Sequence, residues 1–192
     1  MRSAAVFLRP LRHLNRRLTL LRHAHAERPA GRCVGQWEHP LSTHGQRQIA
    51  ALASHWAGPL PSRIVSSDIG RARQTAEILA DLLNAPAPDI DVRLREISMG
   101  HWEGQSWDTL YATHQAAVDH WGQHWVHEGP PGGESAVQVA ERMHEVVDQS
   151  PPGTLLVGHR GALGILLCEL AGQPLAGAFN YSFANAAPVS LN

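Results

Sequence analysis

Short apolar runs alternate along the chain with longer amphipathic stretches. Runs of strand length occur at LTLL (18–21), RIVSS (63–67), DIDVRL (89–94), TLLVG (154–158) and APVSL (187–191). Between them apolar residues recur at helical spacing. One such pattern opens at Leu41-Ser42-Thr43 and runs to about Trp56, with Ile49, Leu52 and Ala53 on one side. Another follows Asp68 to about Asn84 and carries Ile69, Ala72, Ala76, Leu79, Leu82 and Leu83. A third spans about Ser135 to Gln149, and a fourth runs from Gly161 to about Ala171. Strands alternating with helices predict an α/β fold with three layers, a mainly parallel sheet covered by helices on both faces. Strand direction need not be uniform, and the last run is the one whose direction the pattern leaves open.

The interval from Ile97 to Gly133 breaks this rhythm. It holds Trp102, Trp107, Trp121 and Trp125, many histidines and the turn-rich GPPGG. A long excursion of this kind in a compact α/β chain predicts a lid over a binding site, here at about 97–133. RPAGRCVGQWEHP (28–40) is a second irregular stretch, directly after the first strand.

Composition narrows the class. The chain has 192 residues, 43% hydrophobic and 17% charged, which supports a packed core rather than disorder. A formal net charge of −1 argues against nucleic acid as a partner. The longest apolar run, Ala162 to Cys168, is far short of the roughly 18 residues of a membrane span, so no membrane partner is expected. Cys33 and Cys168 stand far apart with no CxxC spacing, which fits a reducing, cytoplasmic setting and offers no zinc or disulfide framework. The first 17 residues carry five arginines and no acid. Such a leader suits a disordered basic extension, or a targeting segment that lacks the apolar centre of a secretory signal. Residues 18–192 are then expected to form one domain.

Candidate chemistry collects at strand ends. In open α/β sheets, ligands bind outside the carboxyl ends of the strands. Arg22 and His23 stand at such an end, as do Gly158-His159-Arg160-Gly161; Ser66-Ser67-Asp68 closes another strand with Arg71 soon after, and Glu96 follows DVRL. Arg22, His23, Arg71, Glu96 and His159 are thus expected to face one crevice, with Arg160 at its mouth. This inventory suits phosphoryl transfer. Guanidinium groups fork onto phosphate oxygens and stay charged. A neutral imidazole is a competent nucleophile. A carboxylic acid protonates the departing oxygen and then, as carboxylate, activates water. The helix opening at Gly161 is expected to aim its positive end at the same anion. Fixed cations do the neutralising, so neither a metal nor any other cofactor is expected.

The blocks LLRHA, SSDIGRARQTAE, LREISMGHWEG and LLVGHRG, in this order, resemble the four signature blocks of the histidine phosphatase superfamily, whose fold is phosphoglycerate mutase-like. The resemblance covers nearly all of the chain from Leu18. It implies that His23 becomes phosphohistidine, that Glu96 serves as acid and base, and that Arg22, Arg71 and His159 hold the transferring group. Within the superfamily, PLSTHGQRQ, the Trp-rich middle and PPGGES are most similar to α-ribazole phosphatases and related small phosphomonoesterases. The sequence departs from the pattern at several positions. Ala24 replaces the usual glycine, and His25 stands where an acid is common. Pro29 occupies the place of an asparagine that touches phosphate in many members. Arg160 replaces a small or neutral residue.

Plainer readings compete at each site. Arg71 and Arg73 lie two apart on a helix and point to different faces, so only one can serve the pocket; Arg71 is assigned to phosphate and Arg73 to the surface. The plainer reading of Glu96 is a surface pair with Arg93 or Arg95. The His23-x-His25 pair, or His120, His124 and His127 at helical spacing, would suit a metal. The first needs a barrel of typically about 250 residues, which this chain does not supply, and the second is better read as part of a lid helix. Trp102 and Trp107 either stack on a substrate ring or fill the lid's own core. The expected activity is metal-independent hydrolysis of a small phosphate ester through phosphohistidine, with α-ribazole 5′-phosphate the leading substrate. The alternatives are a phosphoglycerate-type mutase and a non-catalytic phospho-ligand binding protein. Oligomeric state is not legible in the sequence.

Overall fold

The computed structural model describes residues 17–27 and 29–191. The basic leader therefore lies, but for Arg17, outside the described residues. Strands β1 (Leu18–Arg22), β2 (Arg63–Ser66), β3 (Asp89–Ile90), β4 (Thr154–Gly158) and β5 (Pro188–Leu191) form one sheet in the order β3-β2-β4-β1-β5. The β1–β4, β2–β4 and β2–β3 pairs are parallel, and β5 runs antiparallel to β1 at the edge. The helices are α1 (Thr43–Ser54), α2 (Gly70–Leu83), α3 (Trp107–His124), α4 (Ala136–Gln149) and α5 (Arg160–Leu170).

Side-chain alternation along the strands creates the layers. Leu21, Ile64, Leu155 and Val157 face Ile49 of α1 and Ala72, Ala76 and Leu79 of α2. Leu18, Leu20, Val65 and Leu156 face the other way, onto Val139, Met143 and Val146 of α4 and Leu163, Ile165 and Leu166 of α5. The three-layer mainly parallel architecture expected from the pattern is the one observed, and helix limits differ from the sequence reading only at their ends.

Local chemistry fixes the helix starts. Ser42 caps α1 by accepting from Gly45 N, and Ser135 and Gln138 form a reciprocal capping box on α4. Helix α2 has no side-chain cap of its own. Its Gly70 N–H instead donates to the Glu38 carboxylate, at 2.9 Å to Oε2, so an acid from the 28–40 loop sits on the positive helix end.

Two expectations change. The DIDVRL run is a strand only over Asp89–Ile90 and then becomes a 3₁₀ turn, Val92–Leu94. Asp91 caps that turn by accepting from Arg93 N, and Arg142 of α4 donates to the carbonyls of Arg93, Arg95 and Glu96. Those carbonyls are therefore not available to a sheet partner. The 97–133 excursion, read as a lid with a helix around His120, His124 and His127, is helical over a longer stretch. It holds a 3₁₀ turn, Gly100–Trp102, and the 18-residue helix α3, kinked at His114. Trp102 and Leu110 build a small core there with Cys33, Met99 and Val118. Cys33 N–H bonds Gln105 O and Trp107 N–H bonds Gly31 O, so the 28–40 loop and the excursion form one body.

Candidate active site

The parallel strands bring their carboxyl ends to one edge, and the site lies there. His23 continues β1, its N–H donating to Gly158 O of β4 at 2.9 Å. Its ring is only 8% exposed, and Nδ1 lies 2.7 Å from its neighbour's carbonyl, Ala24 O. A carbonyl only accepts, so Nδ1 carries a proton, and in the neutral ring Nε2 is the nitrogen with the lone pair. That is the tautomer a nucleophile needs. Asn185 donates to His23 O at 2.7 Å and steadies the backbone from the far side.

Arg22, His23, Arg71, Glu96 and Arg160 line one cavity of about 530 Å³, with Trp107, Trp121 and Phe179 among its apolar walls. Arg71, 4% exposed, donates to Trp37 O at 2.8 Å and to Gly35 O at 2.9 Å, so it anchors the 28–40 loop as well as lining the cavity. Arg22 donates to Phe183 O at 2.8 Å. Arg160 donates to Phe179 O and lies 5.9 Å over the Phe179 ring, at the edge of the cavity. Arg73 is exposed, as its helical position required.

His159 takes a different place from the one expected. It is fully buried beside His23, with ring centroids 5.1 Å apart, and is not among the residues that line the cavity. Burial holds its imidazole well below the usual histidine range. The Arg71, Arg142 and Arg22 charges push the same way, as a proton on His23 would, so the ring is neutral near neutral pH.

Glu96 carries the main correction. Helix α5 begins one residue earlier than read, at Arg160, and its first free N–H groups do not point at an open anion site. Gly161 N–H donates to Glu96 Oε2 at 3.0 Å, and Ala162 N–H to Oε1 at 2.9 Å. Ile97 N–H adds a third bond to Oε1 at 2.9 Å. The helix end thus orients a carboxylate that lines the cavity, instead of binding phosphate itself. Arg93 pairs with Asp91 and Glu145, and Arg95 pairs with Asp68. Neither of them takes Glu96.

Gly161 is required by this arrangement, since a Cβ there would stand 2.5 Å from Glu96 Oε1. Gly161→Ala is expected to push the carboxylate off its donors and slow the chemical step on the order of 10²-fold. Stability should change little, because alanine's helix preference of about 1 kcal/mol offsets the lost cap. Single-turnover rates beside thermal melts check this; a wild-type rate in the variant would show that the carboxylate's placement is unimportant.

The other candidates separate cleanly. His25 Nδ1 is engaged with Ser42 Oγ at 2.8 Å, and His120 Nε2 with Glu128 at 2.8 Å. Among the described residues no three histidine, cysteine or acidic side chains converge as a metal site. Pro29 lines a neighbouring groove of about 880 Å³, with Glu27 and Arg32. That groove shares His25, Val34 and Trp107 with the main cavity. Cys33 also reaches the cavity, but burial, then Glu103, pushes its thiol up to about 12, so it is no rival nucleophile. Trp102 is buried in the small core, whereas Trp107 faces the cavity and stacks on Trp121.

Sequence reasoning missed Asn185, Arg142, Ser67 and Thr75. Thr75 lies one turn after Arg71, accepts from Ala24 N and donates to Arg71 O, tying α2 to the loop after β1. Its place in RARQTAE was a signal that could have found it.

Comparison with known proteins gives the family. The family model of the histidine phosphatase superfamily (branch 1) matches residues 18–192. The chain belongs to that superfamily. A glucosyl-3-phosphoglycerate phosphatase of Mycolicibacterium vanbaalenii is 38% identical over 175 residues, covering 83% of this chain and 76% of the relative. The protein of Cronobacter sakazakii named "Probable phosphoglycerate mutase GpmB" is 36% identical over 165 residues, covering 81% and 74%. The crystal structure of the α-ribazole phosphatase from Shigella flexneri superposes with a TM-score of 0.81 over 91% of this chain and 89% of that one. At 23% identity it shows the shared fold. The chain is a histidine phosphatase, and the phosphatases among its relatives support a phosphoric monoester hydrolase. No helix of the described residues is long and apolar enough to cross a membrane.

Proposed function

We propose that this histidine phosphatase hydrolyses phosphomonoesters of small metabolites without a metal, through a phosphohistidine on His23. The observation that carries the reading is the fixed tautomer of His23, whose Nε2 lone pair shares a cavity with Arg22, Arg71 and Glu96. In the first step Nε2 bonds phosphorus while the ester P–O bond breaks, and Glu96 gives its proton to the leaving oxygen. In the second, the Glu96 carboxylate takes a proton from water, whose oxygen displaces His23 and yields inorganic phosphate. Arg22 and Arg71 neutralise the equatorial oxygens in both. Arg160 meets the leaving group at the cavity edge.

Two substrates are favoured. The similarity of PLSTHGQRQ and PPGGES suggests α-ribazole 5′-phosphate. The 38% identical relative suggests glucosyl-3-phosphoglycerate, whose carboxylate would suit Arg160. Both carry a ring, and Trp107 offers a flat wall where the cavity and its neighbouring groove meet. Two buried free cysteines fit a cytoplasmic enzyme.

A panel of phosphorylated metabolites, scored for inorganic phosphate, tests the reading. Chelators such as EDTA should leave the rate unchanged, since the neutralising cations are side chains; loss with EDTA and recovery with zinc or magnesium would overturn the metal-free mechanism. Conversion of 3-phosphoglycerate to its 2-isomer without release of phosphate would favour the mutase. Binding without turnover of any substrate would favour a phospho-ligand binding protein.

A further inference from the structure

His159 presents a hydrogen-bond count that does not close within the protein. Its Nε2 lies 3.0 Å from Ser67 Oγ, while Nδ1 is buried with no hydrogen-bond partner among the described residues. Ser67 is itself fully buried, and its hydroxyl oxygen already accepts from Ile69 N–H at 3.2 Å.

A hydroxyl has one proton to give. If His159 donated from Nε2, the Ser67 proton would have no acceptor among the described residues, and a bare Nδ1 lone pair would be buried on a ring next to the nucleophile. If Ser67 donates to Nε2, its one proton is used and the Nε2 lone pair is satisfied. The ring's own proton then resides on Nδ1 as an unspent donor, on a ring 5.1 Å from the His23 ring. An unspent buried donor beside a nucleophile suits an incoming phosphoryl oxygen, and a buried polar group left without a partner otherwise costs about 1–3 kcal/mol.

We infer that Ser67 is a positioning residue for catalysis, holding His159 in the Nδ1–H tautomer so that it donates to the phosphoryl group on its way to His23. The inference rests on the proposed phosphohistidine chemistry. In this role Ser67 acts through His159, to which its hydroxyl is bonded. Its second bond, from Ile69 N–H, lies at the residue preceding α2, so the same hydroxyl sets the start of the helix that carries Arg71.

The test reads the tautomer directly. In enzyme labelled with ¹⁵N-histidine, long-range ¹H–¹⁵N spectra distinguish the protonated from the bare nitrogen of each neutral ring. Wild type should show His159 protonated on Nδ1, and that proton should shift when inorganic phosphate is added. In Ser67→Ala the tautomer should become mixed. Phosphate affinity and the single-turnover rate of His23 phosphorylation should each fall about 10–100-fold, the scale on which outer hydrogen bonds orient a functional histidine. Ser67→Thr, which keeps the hydroxyl, should restore the Nδ1–H signal. A wild-type ring protonated on Nε2 overturns the inference, and needs no variant to be seen. So does a folded Ser67→Ala that keeps both the Nδ1–H tautomer and the wild-type rate. A slow Ser67→Ala with an unchanged tautomer would mean that Ser67 acts only through α2, which also overturns it. Absence of phosphohistidine in wild type would instead overturn the catalytic reading and leave the tautomer result standing.

Discussion

His23→Ala is expected to lower turnover by roughly 10⁴–10⁶-fold, the scale on which loss of a covalent nucleophile acts. The fold should survive. The bonds that place residue 23 are made by its backbone, N–H to Gly158 O and carbonyl from Asn185, and alanine keeps both. The Nδ1 bond to Ala24 O and the ring contact with His159 are lost, and neither holds the backbone. The covalent step has its own signature. A phosphorus–nitrogen bond to imidazole hydrolyses in acid and survives base, whereas a phosphoserine ester resists acid. Brief incubation with labelled substrate should therefore leave acid-labile, base-stable label on wild type and none on the variant. Cys33 is another nucleophile type at the cavity, beside the Ser182 hydroxyl, and its raised thiol predicts that blocking Cys33 would not remove the label. Label that withstands acid, or that persists in His23→Ala, would place the covalent step elsewhere.

The site was legible where sequence-local rules apply. An apolar run ending in Arg22-His23, and another ending in Gly158-His159, mark strand ends, and parallel pairing then brings them together without further information. The three layers follow from alternating side chains that the runs display openly. What was not legible depends on partners distant in sequence. DIDVRL reads as a strand by composition, yet the carbonyls of Arg93 within it and of Arg95 and Glu96 just after it go to Arg142, about fifty residues on, and no local pattern announces that. Helix α5 was read correctly in place, but the use of its amino end was not, because Glu96 reaches it from 65 residues earlier. Likewise Asn185 holds His23 across 162 residues, from a segment with no motif of its own. The lid was legible as an excursion with a helix near His120 and His124; that this helix would begin as early as Trp107 and share a core with Cys33 depended on packing between two irregular segments.

Glu96→Gln should separate proton donation from mere support of the site. An alkyl phosphate leaves as a strongly basic alkoxide and needs a proton, while p-nitrophenolate is stable enough to depart without one. General acid catalysis typically contributes ~10²–10⁴-fold. Phosphorylation of His23 by an alkyl phosphate should slow within that range, and by p-nitrophenyl phosphate far less. The measurement belongs in single turnover, since Glu96 also assists water in the second step and steady-state rates would mix its two roles. The structure adds a complication that the comparison of substrates resolves. Both Glu96 oxygens accept from backbone N–H groups, so a glutamine must turn its NH₂ toward a donor. With the amide oxygen kept toward Ile97 and Ala162, the unpaired group is Gly161 N–H. Such a loss costs about 1–3 kcal/mol, which in a chain of this size lowers the melting temperature by roughly 2–4 °C per kcal/mol. Disturbance of α5 would slow both substrates alike, because it acts on the site and not on the leaving group. Arg71→Ala provides the reference for that behaviour, as it removes charge stabilisation required by every phosphoryl transfer. The expected result is therefore a small common loss in Glu96→Gln, with a large additional loss confined to the alkyl ester. Equal slowing of both esters would show that the carboxylate only orders α5 and the cavity, and that the proton comes from another group.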